Sequence, residues 1–151
     1  IVAGENGQVV AISLRTGKQL WKRQVAVDEV PWAVTLAANE RPKAVYLGAG
    51  RRLYALNPES GETRWHWQAD NEPLALYRAM IEPTAHGIVV AADEQAKDRS
   101  RLIILNNNGK VKREARLPVG PSSAEWNGHL IVKWPRIYLR SDDAWLLCQV
   151  K

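Results

Sequence analysis

The sequence predicts an all-β chain: a β-propeller segment of about three and a half four-stranded antiparallel blades. Three observations predict it. Strand-length runs rich in Val, Ile, Leu, Tyr and Trp follow one another from end to end, bounded by Gly, Pro and Asn turn signals, and no stretch keeps a helical period. A short motif recurs. AISLRTGKQLW at residues 11–21 and ALNPESGETRW at residues 55–65 place Ala, a small polar residue, Gly and Trp at the same offsets, with Trp21 and Trp65 44 residues apart. A weaker copy, ILNNNG at residues 104–109, puts Gly109 48 residues after Gly61. A period of roughly 40–50 residues holding several short strands marks a propeller blade. Finally, seven Trp with no Phe suits flat packing between stacked sheets.

The elements follow in order. The first unit, residues 1–27, has strands at 1–4, 8–14 and 18–25. Asn6 and Gly7 form a tight hairpin turn, because both tolerate positive φ, and Arg15, Thr16 and Gly17 form the next turn. The second unit, residues 28–70, reads as complete, with strands at 31–38, 43–47, 52–56 and 62–69. Gly48 and Gly50 break its middle, and residues 57–61 turn into its last strand. The third unit, residues 71–119, has strands at 74–82, 88–92, 101–106 and 110–117. It carries a charged insertion at 93–100, expected to be exposed. The fourth, residues 120–151, reads as strands at 129–134, 136–141 and 144–150, with Asp142 and Asp143 as a hairpin. An alternative starts it at Ser122 and fits four strands.

The whole chain of 151 residues thus reads as one partial propeller domain. It opens at the second strand of a unit and ends after the third or fourth of another. It starts without Met, which reads as a processed product or a piece of a longer chain. Open ends expose strand edges and apolar blade faces. The expectation is a larger propeller completed by another protein chain or by a second copy, rather than a closed four-bladed ring.

The pattern of Ala, polar residue, Thr or Ser, Gly and Trp resembles the quinoprotein-type, or PQQ-like, β-propeller repeat. Ser13 stands where that family usually has Asp, and Asn57 fills the same position in the second copy. The third copy keeps Asn106 and Gly109 without the Trp, and the fourth keeps only the strand pattern. The resemblance implies that Trp21 and Trp65 pack between blades. Their seats would be Gly turns and small residues of a neighbouring blade: Gly17, Gly61, Gly109, Ala11 and Ala55. It also implies a periplasmic or extracellular location. The family includes quinone-dependent dehydrogenases that bind quinone and calcium on the propeller axis. It also includes scaffolds without a cofactor, such as the lipoprotein of the outer-membrane β-barrel assembly machine. The alcohol-dehydrogenase branch uses an adjacent Cys pair, which a chain with Cys148 alone cannot form. No calcium carboxylate or catalytic Asp of the family falls on a matching position, so no cofactor residue is carried over.

The remaining chemistry is sparse. One Cys excludes an internal disulfide and a Cys-rich metal site, and in its apolar strand Cys148 reads as a buried small hydrophobe. There is no apolar run of about 18 residues, hence no membrane span. His66, His86 and His129 lack the spacing of a metal pair. His66 lies between two strand tryptophans and so faces away from both. The acidic pairs Asp28 with Glu29, Asp93 with Glu94, and Asp142 with Asp143 read as hydrated. No calcium loop, phosphate-cradling Gly loop or nucleophile elbow is present. Net charge is +5, which permits an acidic partner without requiring one.

Basic residues crowd the third unit: Lys97, Arg99, Arg101, Lys110, Lys112, Arg113 and Arg116. Lys110, Lys112, Arg113 and Arg116 form a candidate surface for an acidic partner. The plainer reading is protection of an outer strand edge. The cluster lacks the interleaved aromatics that stack on bases, which argues against nucleic acid. The sequence therefore reads as a non-catalytic scaffold or a protein- or ligand-binding module. The alternative is part of a quinone-dependent oxidoreductase whose cofactor residues lie outside the segment.

Overall fold

In the computed structural model, residues 1–4, 7–25, 34–37, 44–68, 74–76, 79–94, 100–117, 130–140 and 145–150 are described. Asn6, Asp28, Glu29, Lys97, Arg99, His129, Asp142 and Asp143, which figure in the sequence reading, lie outside them. The described residues form four antiparallel sheets in chain order. The first holds β1 (Val2–Ala3), β2 (Gln8–Ile12) and β3 (Gln19–Gln24). The second holds β4 (Val34–Ala37), β5 (Val45–Ala49), β6 (Arg52–Leu56) and β7 (Thr63–Gln68). The third holds β8 (Met80–Thr84), β9 (Gly87–Asp93), β10 (Ser100–Leu105) and β11 (Val111–Leu117). The fourth holds β12 (Leu130–Lys133), β13 (Arg136–Arg140) and β14 (Trp145–Gln149). Within each sheet every strand pairs with the next in sequence, which makes each a meandering blade. The leading strands touch across blades, β1 with β4, β4 with β8, and β8 with β12. The chain is an incomplete propeller segment.

The blades stack through three apolar layers. Val9, Ala11 and Trp21 of the first blade meet Val45, Leu47, Tyr54 and Leu56 of the second. Leu53 and Ala55 turn the other way and meet Ile88, Val90, Ile103 and Leu105 of the third. Val89, Leu102 and Ile104 meet Ile137 and Leu139 of the fourth. A middle strand serves two layers, so β5 and β10 are buried on both faces, and β10 reads as an apolar run from Leu102 to Leu105 after its polar start. The outer strand β11 is exposed along six of its seven residues and alternates poorly. Each fully buried Leu, Ile or Val adds about 1.5–3 kcal/mol.

Three hairpins share one construction. The register slips by a bulge between Ala11 and Ile12, Ala55 and Leu56, and Ile104 and Leu105. A small polar residue then opens the turn. The Ser13 hydroxyl accepts the Thr16 N–H at 3.3 Å, the Asn57 amide oxygen accepts Glu59 at 2.9 Å, and Asn106 accepts Asn108 at 2.9 Å. This local bonding is what Ser and Asn supply in turns.

Two expectations change at the third blade. The strand expected at 74–82 begins at Met80 instead. Leu74 makes an isolated bridge to Glu94, and the Leu76 N–H donates to the Gly50 carbonyl at 3.0 Å, so this segment crosses between blades. The insertion expected to be exposed is not so at its ends: Glu94 and Ser100 are buried.

Candidate functional site

The repeat residues meet at the blade junctions. Trp21 lies on the Gly61 turn so closely that a Cβ built on Gly61 would stand 2.5 Å from its Cε3. Its indole N–H donates to the Pro58 carbonyl at 2.9 Å, and the ring is 7% exposed. Trp65 repeats the contact one blade on. A Cβ on Gly109 would be 2.7 Å from Cε3, and the indole N–H donates to the Asn107 carbonyl at 2.9 Å. A buried indole needs a flat surface for its face and an acceptor for its N–H. A Gly turn supplies both at once.

Ala11 and Ala55 are the cross-strand partners of Trp21 and Trp65 within the same sheet, not residues of the neighbouring blade. Gly17 receives neither ring. A Cβ built there meets nothing within 4 Å. These placements make a comparison. Gly17 and Gly61 have φ of 69° and 73°, so Ala at either position is strained by about 1–3 kcal/mol. Gly61→Ala also drives a methyl into an indole and adds an overpacking cost of about 1–3 kcal/mol. Urea unfolding of the two variants is expected to show the larger loss for Gly61→Ala. Equal losses would mean that the Trp21 contact does not constrain the turn.

The third junction is built differently. Trp21 and Trp65 each stand four residues after their Gly, and the residue four after Gly109 is Arg113. Arg113 lines a groove of about 540 Å³ between β11 and β14, whose floor includes Leu102, Ile104, Ala115, Cys148 and Val150. Cys148 is half-buried there rather than fully enclosed, and burial pushes its thiol pKa up. The candidate basic surface divides. Lys112 donates to the His86 carbonyl at 3.0 Å, and His86 stacks on Trp134 with ring centroids 4.8 Å apart. Arg116 approaches Glu94 at 3.6 Å. Lys110 and Arg113 stand exposed on the outer edge.

Arg101 corrects its sequence reading. Its place in the basic cluster suggests a surface cation, but it is buried, and its Nε and one Nη hold Glu94 at 2.6 Å and Glu114 at 2.7 Å. Glu94 is 4% exposed, and its second carboxylate oxygen has no hydrogen-bond partner among the described residues. The sequence treated Asp93 and Glu94 as a hydrated pair. Burial of Glu94 overturns that reading, and the arginine offsets the cost of its desolvation. A charged residue leading the apolar run of β10 was the one available signal. Glu114, across the ladder from Ile103, gave none.

Among the described residues no group of three His, Cys, Asp or Glu is arranged to hold a metal ion. None of their helices is long and apolar enough to cross a membrane. A family model described as outer membrane protein assembly factor BamB matches residues 1–148. No curated protein matches the chain. The crystal structure of BamB from Moraxella catarrhalis is similar with a TM-score of 0.61 and 18% identity, over 91% of this chain and 41% of that one. The WD40 domain of SCAP from fission yeast gives a TM-score of 0.48 and 14% identity, over 97% of this chain and 43% of that one. The chain spans less than half the length of either structure. The first likeness shows a propeller fold.

Proposed function

The chain belongs to the PQQ-like propeller family described as outer membrane protein assembly factor BamB, and from that premise we propose that it is a non-catalytic scaffold. It presents loops and an outer strand to protein partners as part of a larger propeller or oligomer. One observation carries the reading: the Trp of each well-formed copy of the repeat is committed to holding blades together, Trp21 on the Gly61 turn and Trp65 on the Gly109 turn. Both motif tryptophans are thus engaged in architecture, and the outer surface is left for recognition. Lys110, Lys112, Arg113 and Arg116 on and beside β11 offer positive charge to an acidic partner. The family description directs the search toward assembly of outer-membrane proteins.

Light scattering of the purified protein, with intact mass of every chain present, tests the assembly. A species well above 17.0 kDa is expected. A lone monomer at that mass would overturn the reading. An absorbance scan after incubation with pyrroloquinoline quinone and calcium tests the scaffold role. No retained chromophore is expected, and a retained one would replace the scaffold with a quinone-dependent oxidoreductase.

A further inference from the structure

We propose that the turns of the third and fourth blades around His86 and Trp134 form a docking face for an anionic lipid bilayer. The Trp134 indole is its anchor, and Lys110, Lys112, Lys133 and Arg136 supply its charge. The scaffold reading makes no use of Trp134, and the inference does not depend on that reading.

The face is assembled from equivalent turns. Strands within each blade alternate in direction, so the β8–β9, β10–β11 and β12–β13 turns emerge at one end of the two blades. Lys133 and Arg136 pair across the ladder and flank the turn at Trp134 and Pro135. In the third blade the Thr84 hydroxyl fastens the corresponding turn. It donates to the Gly87 carbonyl at 2.8 Å and accepts the His86 N–H at 3.1 Å. The two turns meet through their rings, with His86 stacked on Trp134 at 4.8 Å and 23°. Lys112 donates to the His86 carbonyl at 3.0 Å and so brings the outer strand to the same place. The indole is therefore held in position, yet it is 39% exposed. A large aromatic kept in water at a turn tip is doing no packing that would explain its size.

The charge around it has one sign. Lys110, Lys112, Lys133 and Arg136 are all exposed. Among the described residues none of the four is paired with a carboxylate. The acidic residues on the same strands are turned to other uses: Glu82 is half-buried on β8, and Glu114 is held by Arg101. The corresponding turn of the second blade carries exposed Glu59 and Glu62, so contact is confined to the third and fourth blades. An indole ringed by Lys and Arg suits the boundary of a bilayer, where Trp settles among the headgroups and cations meet anionic phosphates. These groups stand on turn tips, which fits an extended surface better than an enclosed small ligand.

Co-sedimentation of the full chain with vesicles tests the proposal. Vesicles of phosphatidylcholine mixed with phosphatidylglycerol are expected to bind it, more weakly as salt rises, and vesicles of phosphatidylcholine alone are not. Trp134→Ala, which leaves the charge unchanged, should weaken binding by about tenfold. Lys133→Ser with Arg136→Ser, which leaves the indole, should weaken it by about thirtyfold. Circular dichroism and the urea midpoint show that each variant is folded. Failure to bind the mixed vesicles, or equal binding to both kinds, overturns the proposal. Unchanged binding by Trp134→Ala also overturns it, because the attraction is then that of net charge alone. Soluble polyglutamate bound in a Trp134-dependent way, with the vesicles ignored, would give the face to an acidic protein segment instead. That outcome removes this proposal and leaves the scaffold reading standing.

Discussion

Trp21→Ala is expected to lower unfolding stability by about 3–5 kcal/mol, the range for a large aromatic lost from a core. The ring is 7% exposed and lies between the first and second blades, against Val9 and Ala11 on one side and the Gly61 turn on the other. Removing it opens a void that the rigid hairpin at residues 57–61 cannot fill. The turn is locked by two backbone bonds of 2.8 Å and by the Asn57 side chain. Trp21→Phe separates the terms. It keeps most of the packing but leaves the Pro58 carbonyl without its 2.9 Å donor, a loss of about 0.5–1.5 kcal/mol. Trp65→Ala should cost less than Trp21→Ala, because Trp65 is only partly buried. Urea denaturation followed by circular dichroism measures all three. A Trp21→Ala loss below about 1 kcal/mol would mean that the blades are held by β2 and β6 without the indole.

The sequence made the junctions legible because they rest on residue types with few other uses. A Gly that must adopt positive φ, followed four residues later by a Trp, leaves a trace at fixed spacing, and β3 and β7 carry it intact. The third blade's hairpin was legible through Asn106 and Gly109 even without its Trp. Which blade each residue serves was less visible. Ala11 and Ala55 lie beside the tryptophans in their own sheets, a relation fixed by ladder register that spacing alone does not encode. The start of the third blade was misread because Leu74 and Leu76 are apolar for a different reason. They are buried in a crossing between blades, tied to Glu94 and Gly50, and not in a strand ladder. The charge reading failed in the same way. Seven basic residues within 20 positions look alike in sequence, and only the fold turns Arg101 inward while Arg113 points to a groove.

Arg101→Met should be the other severe substitution, at about 3–5 kcal/mol, the cost of breaking a buried ion pair by removing one partner. Shape is not the issue, since Met follows much of the arginine stem and packs adaptably. The loss is electrostatic. Glu94 is 4% exposed, its Oε1 is held by Arg101 at 2.6 Å, and its other oxygen lacks a partner among the described residues. Arg116 also pairs with Glu94, at 3.6 Å, but its side chain is mostly exposed, so this longer and hydrated contact replaces only part of the lost interaction. Glu114 adds little to the penalty, because its carboxylate can turn to solvent once released. The same logic predicts rescue. With Glu94→Gln added to Arg101→Met, the buried charge disappears with its partner, and much of the stability should return. A double-mutant cycle in urea measures the coupling. Strong coupling would show that β10 is tied by charge to Glu94, the residue that follows β9, at this end of the third blade. Additive losses would place the cost in the packing of Arg101 itself, and the unpartnered oxygen of Glu94 would then be a tolerated defect rather than one half of a pair.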